Sequence, residues 1–235
     1  MKLALFAYDF PHYKTEQFVY RFLVAGHSIS YVLAAPWRDL HYPKQILRDG
    51  LRLTDMMHPR HICKHFAIPY VVADHNGSKC YNYIRNHPVE LAVISGARIL
   101  KEATIRLFPK GIVNLHPGCL PNIRGLDTLK WSIYLDKPIG VTAHLISKKI
   151  DSGRFLYYND LRLYYDDTLP EISFRLLQVQ PAILIKVLKI LKVENVSKLR
   201  VLDQVSKEYH SAMSPELEIQ IPKLFPKWLK KYAKL

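Results

Sequence analysis

Two residues able to do chemistry stand at the end of one apolar run, GIVNLH. Asn114 and His116 lie two positions apart, so on a strand their side chains project to the same face while Leu115 points the other way. An amide and an imidazole on one face can donate hydrogen bonds to a developing negative charge and can move a proton. The N-x-H-P pattern alone is more often an ordinary strand end than a catalytic site, so the choice between the two depends on the surrounding sequence.

The elements that hold this pair alternate between strand and helix. KLALFAY predicts a buried strand, Thr15 predicts the cap of a helix that Gly26 ends, and SISYVLAA predicts a second strand. Strand, helix, strand is typical of a parallel α/β unit. The loop HPGCLPNIRG then leaves the pair at the carboxyl end of its strand, where open α/β sheets place their binding sites.

The same alternation continues along the chain. Asn76 predicts a helix cap, VELAVISG a strand buried on both faces, and ARILKEATIRLF the next helix. A helix near 126–135 precedes the β-branched run GVTAHLIS. Asp167 or Thr168 then predicts the start of a long helix towards Leu191.

The chain length suits one domain of ordinary size with a short addition. We predict a catalytic domain over residues 1–194 and a C-terminal appendage over residues 195–235, where the pattern weakens. The appendage ends in KLFPKWLKKYAKL, in which five lysines alternate with apolar residues. Such a stretch could suit a membrane surface or a nucleic acid, but we expect it to pack its apolar side on the domain and show its lysines to water.

Composition narrows the class of protein further. Hydrophobic residues make up 49% of the chain and charged residues 23%, which is a globular balance. The first apolar run is too short for a signal peptide, and no stretch approaches the roughly 18 apolar residues of a membrane span. We therefore expect a soluble, cytoplasmic protein without membrane insertion. The net charge of +14 favours anionic ligands. Cys63, Cys80 and Cys119 lack the spacing of a metal site or redox pair, so no metal is expected.

Several motifs occur in a fixed order between Ser95 and Gly153: ISGARIL, then GIVNLHPGCLPNIRG, then WSIYLDKPIGVTAHLISKKIDSG. In this order and combination they resemble the formyltransferase family that uses N10-formyltetrahydrofolate. That resemblance implies an α/β, Rossmann-like formyltransferase fold with a mostly parallel central sheet and helices on both faces. It also implies an enzyme that transfers one-carbon groups.

The resemblance places Asn114, His116 and Asp151 at the family's catalytic positions, with Thr142 and His144 on the strand that supports them. An amine that attacks the formyl carbon creates a tetrahedral intermediate with a negative oxygen. The Asn114 amide and a protonated His116 are expected to stabilise that oxygen. Asp151 is expected to orient the imidazole and help carry the proton from the amine to the departing folate nitrogen.

The resemblance also implies binding residues. Arg98, Ile99 and Leu100 match the place where backbone groups meet the pterin ring, and Ile150 matches the far wall of that pocket. Gly118 and Arg124 are candidate substrate-binding residues; Arg124, in the loop near the proposed site, could meet a phosphate or the glutamate tail of the folate. Cys119 invites interpretation as a nucleophile, but direct attack by an amine needs no covalent intermediate.

The resemblance leaves three amines open as acceptors. A glycinamide ribonucleotide enzyme would place a glycine-rich phosphate loop after the first strand, where this chain has AYDFPHYKTEQ. A methionyl-tRNA enzyme would add a C-terminal barrel domain, for which the sequence after the predicted long helix is too short. We favour the third acceptor, a nucleotide-linked (dTDP- or GDP-type) amino dideoxy sugar for surface polysaccharide (O-antigen) biosynthesis, and keep methionyl-tRNA and glycinamide ribonucleotide as alternatives.

A protein of a different class is a further alternative. The chain could be a basic nucleic-acid-binding module that keeps the fold without the activity. The intact set of Asn114, His116 and Asp151 argues against that reading. We expect a small-molecule partner and no nucleic acid, and whether two chains pair as a homodimer stays open.

Overall fold

The computed structural model describes residues 2–39, 43–202 and 209–234. Its strands, in chain order, are β1 (Lys2–Tyr8), β2 (Ser28–Ala35), β3 (Tyr70–Val72), β4 (Leu91–Ile94), β5 (Gly111–His116), β6 (Gly140–Ile146), β7 (Gly153–Asp160) and β8 (Val201–Leu202). They form one sheet in the order β3-β2-β1-β4-β5-β6-β7-β8. The first five strands pair in parallel, whereas β6, β7 and β8 join as antiparallel neighbours.

Helices cover both faces of this sheet. They are α1 (Tyr13–Val24), α2 (Pro59–His65), α3 (Ser78–Asn86), α4 (Glu102–Ile105), α5 (Thr128–Tyr134), α6 (Leu169–Gln178), α7 (Gln180–Val193), α8 (Pro215–Glu218) and α9 (Ile221–Tyr232). Alternate residues of β1 belong to different cores: Leu3 and Leu5 pack with α1 and α7, whereas Ala4 and Phe6 pack with α3. A strand buried on both faces explains the continuous apolar run. The predicted α/β fold with a mostly parallel sheet is confirmed.

Two predicted helix caps are wrong. α1 begins at Tyr13 with His12 as its N-cap, and Thr15 lies buried inside the first turn, where its hydroxyl contacts the Ser95 hydroxyl at 2.9 Å. α3 has Gly77 as its N-cap, because the Asn76 side chain accepts a hydrogen bond from the backbone of residue 101 instead. In both cases the side chain that local sequence predicts as a helix cap instead forms a hydrogen bond with a residue distant in the chain.

The stretch 97–108 is mostly irregular, although its sequence predicts a helix. Helical structure is confined to α4. The preceding residues stay irregular because the Asn76 amide donates to the Ile99 carbonyl at 2.9 Å and accepts from Lys101 N–H at 2.8 Å. These contacts keep residues 98–100 available as a wall beside the carboxyl end of β4.

The long helix predicted from Thr168 towards Leu191 is divided into α6 and α7. Its start is confirmed, since Thr168 and Glu171 form a capping box. The break falls at Val179, just before Pro181, because proline lacks the N–H that would continue the helix.

The C-terminal helix α9 packs on the domain through one side. Trp228 and Leu229 are buried, and the Trp228 indole donates to the Lys137 carbonyl at 2.7 Å. Lys223, Lys227 and Lys230 are exposed. Within the part of the chain that the structure describes, no helix combines the length and apolar character that a membrane crossing requires.

Candidate active site

The carboxyl ends of β4 and β5 form one wall of a cavity, and the turn between β6 and β7 forms the other. β5 pairs with β6 so that Asn114 lies opposite His144 and His116 lies opposite Thr142. The turn brings Asp151 to the same place, with a backbone φ of +47°. The three residues that the motifs predict as catalytic therefore lie together near the carboxyl end of β5.

Asp151 is held through both of its carboxylate oxygens. Oδ1 lies 3.4 Å from His116 Nδ1, and Oδ2 accepts the Gly125 N–H at 2.7 Å. The side chains of His116 and Asp151 are only 5% and 11% exposed, so this pair is shielded from water. A carboxylate fixed at both oxygens orients the imidazole beside it.

The other imidazole nitrogen of His116 donates to the Ile123 carbonyl at 2.8 Å. Both ring nitrogens therefore face oxygen acceptors, an arrangement that suits the protonated imidazolium, in which both nitrogens are donors. Gly118 makes the close approach possible, because a Cβ there would lie 2.8 Å from His116 Nε2 and 2.9 Å from the Ile123 carbonyl oxygen.

Asn114 is oriented by a buried histidine. The His144 Nδ1–H donates to the Ser152 carbonyl at 3.0 Å, which leaves Nε2 to accept from the Asn114 amide nitrogen at 3.3 Å. Burial, with the neighbouring His116 as a second cause, lowers the pKa of His144 and keeps it neutral. One N–H of Asn114 is thus used for orientation, and Asn114 itself lines the cavity.

The cavity has a volume of about 600 Å³, within the range of small-molecule sites. Arg98, Ile99, Leu100 and Ile150, the residues assigned to the folate pocket, all line it. Asn114 lines the cavity from the β5 wall and Asp151 from the turn opposite, so a ligand in the cavity reaches both of these predicted catalytic residues. The mixture of apolar side chains and exposed turn backbone fits a flat ring system with polar edges.

Arg124, a predicted substrate contact, lies mostly inside the protein. It is 8% exposed, and its Nη2 donates to the Ile150 carbonyl. This hydrogen bond ties the loop after β5 to the turn that carries Asp151. Gly118 lies against His116 in the same loop, so Arg124 and Gly118 both support the pair of His116 and Asp151.

An aromatic edge, made of Tyr8, Phe10, His12 and Trp37, follows β1 and β2, and sequence reasoning missed it. The rings of Tyr8 and Phe10 stack at 4.9 Å, and Trp37 meets Phe10 edge-on at 5.2 Å. Trp37 is 69% exposed, and Tyr8 also lines the cavity. The residues were not recognised because they carry no spacing pattern; only their place after predicted strands could have pointed to them.

Lys14 is a second residue that the sequence did not reveal. Its Nζ lies 3.4 Å from the carbonyl oxygen of Leu115, which stands between Asn114 and His116. Among the described residues no carboxylate lies within ion-pair distance of this ammonium. Burial lowers the pKa of Lys14 to about 7, and burial together with the Lys14 charge lowers the pKa of His12 to about 4.

Cys119 is partly buried in the loop after β5, and burial raises the pKa of its thiol. A raised pKa disfavours the thiolate that a nucleophilic cysteine requires. Cys63 and Cys80 are buried and also free. The geometry therefore supports transfer without a covalent cysteine intermediate.

Known proteins that are similar in sequence to this chain include formyltransferases. A family model described as formyl transferase matches residues 49–188. A methionyl-tRNA formyltransferase from Borreliella burgdorferi is 31% identical over 110 residues, 46% of this chain and 35% of that protein. A phosphoribosylglycinamide formyltransferase from Haemophilus influenzae is 28% identical over 96 residues, 40% of this chain and 45% of that protein. The chain thus matches about a third to a half of the length of these curated relatives.

Solved structures share the fold. A sugar N-formyltransferase from Shewanella sp. superposes with a TM-score of 0.60 at 18% identity, covering 90% of this chain and 76% of that one. A phosphoribosylglycinamide formyltransferase from Anaplasma phagocytophilum superposes with a TM-score of 0.66 at 16% identity, covering 90% and 97%. At such identities the likeness concerns the fold.

Proposed function

The chain belongs to the formyl transferase family, and on that premise we propose that it moves the formyl group of N10-formyltetrahydrofolate to the amine of a nucleotide-linked amino sugar. One observation carries the proposal: Asn114 and Asp151 line a cavity of about 600 Å³, and His116 lies against Asp151. The family's donor is a folate, and the cavity wall formed by residues 98–100 and 146–150 suits its flat ring system.

The chemistry follows from the arrangement. The acceptor amine attacks the formyl carbon, a C–N bond forms, and the carbonyl oxygen becomes negative. The remaining N–H of Asn114 donates to this oxygen, and the positive charge of the His116 imidazolium, whose two N–H groups face Asp151 and the Ile123 carbonyl, stabilises it electrostatically. Collapse of the intermediate breaks the bond to N10 of the folate. That nitrogen gains the proton that the amine gives up, with the Asp151 carboxylate, directly or through water, as the carrier.

The acceptor assignment rests on the aromatic edge and on Lys14. A nucleobase stacks well on exposed aromatic rings, and Trp37 is 69% exposed beside the Tyr8 and Phe10 stack. The ammonium of Lys14 offers a charge for the diphosphate near the catalytic strand. The loop after β1 contains no glycine, which disfavours the backbone phosphate cradle of a ribonucleotide enzyme.

Methionyl-tRNA and glycinamide ribonucleotide are the second candidates, favoured by the names of the curated relatives. The net charge of +14 would also suit a nucleic-acid partner, including a non-catalytic one. An acceptor panel separates these possibilities, because each predicts a different product.

The test is incubation of purified protein with N10-formyltetrahydrofolate and a panel of amines: nucleotide-linked 3-amino and 4-amino dideoxy sugars, glycinamide ribonucleotide, and methionyl-tRNA. Mass spectrometry reads the added formyl group, with His116→Ala as the matched inactive control. We expect a formylated sugar nucleotide. Formylation of another amine would contradict the acceptor while retaining the chemistry, and no transfer to any amine, with folate bound, would contradict the transferase assignment.

A further inference from the structure

The C-terminal segment, residues 209–218, lies directly against the loop that follows β5. His210 N–H donates to the Arg124 carbonyl at 3.0 Å, and Leu126 N–H donates to the His210 carbonyl at 2.9 Å. The two hydrogen bonds enclose Gly125 and form a parallel bridge between Gly125 and His210. The segment lies outside residues 49–188, so the match to the family does not describe it.

Gly125 connects this bridge to catalysis. Its φ of +103° favours glycine, and a Cβ there would lie 2.0 Å from the His210 carbonyl oxygen. The N–H of Gly125 donates to Asp151 Oδ2 at 2.7 Å. The backbone of His210 therefore fixes the residue that fixes the Asp151 carboxylate.

Further contacts hold the segment in place. The rings of Trp131 and His210 stack at 4.5 Å, and the Trp131 indole donates to the Ser211 carbonyl at 3.0 Å. Glu218, at the end of the segment, pairs with Lys130 at 2.6 Å, and both side chains are fully buried. A buried ion pair with short geometry keeps its two partners in register.

Tyr209 comes directly before the bridge and lines the cavity together with Leu126, Ile150 and Asp151. Its side chain is 45% exposed. An aromatic ring at the mouth of a cavity is well placed to pack on a flat ligand. This wall is supplied by the C-terminal segment, which lies far along the chain from the motifs that supply the other walls.

We propose that the C-terminal segment is part of the active site: Tyr209 packs on the aromatic rings of the bound donor, and the His210 backbone positions Asp151 through Gly125. The inference rests on the proposed function for the identity of the donor. Tyr209 is a ligand-contacting residue, whereas His210 acts through Gly125 and is a positioning residue.

The first experiment tests the contact of Tyr209 with the donor. Binding of N10-formyltetrahydrofolate is measured by calorimetry for the wild type, Tyr209→Ala and Tyr209→Phe, with Tyr165→Ala as a matched control at another exposed tyrosine. We expect Tyr209→Ala to weaken binding about tenfold, since ring packing is lost, and Tyr209→Phe to bind as the wild type does. Unchanged affinity in Tyr209→Ala would overturn the contact.

The second experiment compares His210→Pro with His210→Ala. Proline removes the N–H that donates to the Arg124 carbonyl, whereas alanine keeps this N–H and removes the ring that stacks on Trp131. We expect His210→Pro to lower kcat about tenfold with donor affinity little changed, and to speed amide exchange at Leu126, whereas His210→Ala should lower kcat clearly less than His210→Pro does. A folded His210→Pro protein with wild-type kcat would overturn the positioning role.

Amide exchange in the wild type keeps the positioning role testable if His210→Pro does not fold. Donor binding should slow exchange at Leu126 and His210 together, because the two amides belong to one bridge. Independent responses of the two amides would overturn the proposal. Failure of the wild type to bind N10-formyltetrahydrofolate would instead contradict the proposed function, which separates the two failures.

Discussion

Beside the carboxyl ends of β4 and β5 and along the turn between β6 and β7, the cavity wall consists largely of turn backbone, whereas the edge that follows β1 and β2 consists of aromatic and basic side chains. On the first side, glycines and carbonyl groups set the geometry, as at Gly118, Gly125 and the turn before Asp151. On the second side, Trp37 and Lys14 project from segments without any motif. We interpret the first side as the donor site and the second as the acceptor site.

This difference explains what a sequence can reveal. Backbone geometry favours particular residue types at particular spacings, because glycine adopts a positive φ easily and allows a close contact that a Cβ would block. A stacking or charged side chain can be supplied from many positions. A conserved chemistry with a variable acceptor is expected from a site built in this way.

The largest expected effect lies on the donor side. His116→Ala removes an imidazolium, and Asp151→Asn removes the carboxylate that orients it, so we expect kcat to fall roughly 10²- to 10³-fold in each. Donor affinity, measured by calorimetry, should stay within a few-fold. Near-normal turnover of either variant with the true acceptor would show that the catalytic set is misassigned.

A smaller effect is expected at the acceptor edge. Trp37→Ala removes the exposed ring, and we expect KM for the acceptor to rise about tenfold while kcat and donor affinity are kept. Steady-state kinetics with each substrate varied in turn measures the KM for the acceptor and the KM for the donor separately. An equal rise in the donor KM would remove the distinction between the two sides.

Lys14 should make binding at the acceptor side depend on pH. Its pKa is lowered to about 7 by burial, so the ammonium is present below this pH and lost above it. We expect KM for an anionic acceptor to rise a few-fold as the pH passes from 6 to 8. Lys14→Arg should abolish the rise, because a guanidinium stays charged throughout. If KM rises equally in Lys14→Arg, the pH dependence comes from a group other than Lys14.

The same lowered pKa also predicts a change in stability. The unfolded chain holds a proton on Lys14 up to its ordinary pKa, so charging it in the folded protein carries a cost that is full below pH 7 and fades as the pH rises towards 10.5. Lys14→Met should therefore stabilise the fold most at pH 6 and little at pH 10. Thermal denaturation across this range checks the sign, and an equal gain at both pH values would contradict it.

The smallest effect concerns Arg124. Because its Nη2 donates to the Ile150 carbonyl, we expect Arg124→Lys to lower kcat about threefold through the lost hydrogen bond and to leave the acceptor KM unchanged. A selective rise in the acceptor KM would instead make Arg124 a substrate contact, and would move part of the acceptor site to the donor side.

Strand periodicity predicted the parallel sheet and put Asn114 and His116 on one face, whereas the resemblance of the ordered motifs to the formyltransferase family placed Asp151 with them. Sequence reasoning failed where a distant partner decides the structure. Asn76 bonds to the chain near Lys101 and prevents the predicted helix, and Thr15 is held by Ser95. Tyr209 could not be found, since only the bridge at Gly125 brings it to the cavity.

The buried pair of Lys130 and Glu218 also bears on the order in which parts of the protein fold. Lys130 lies in the first helix after the catalytic loop, yet its carboxylate partner is made 88 positions later. Asp127 and Asp49 lie farther from the ammonium, at 3.7 and 3.9 Å, and are partly exposed, so burying it without the Glu218 carboxylate would cost on the order of several kcal/mol. Burial of the Lys130 ammonium is therefore coupled to docking of the segment that contains Glu218, so the loop after β5 and the C-terminal segment are expected to become ordered together.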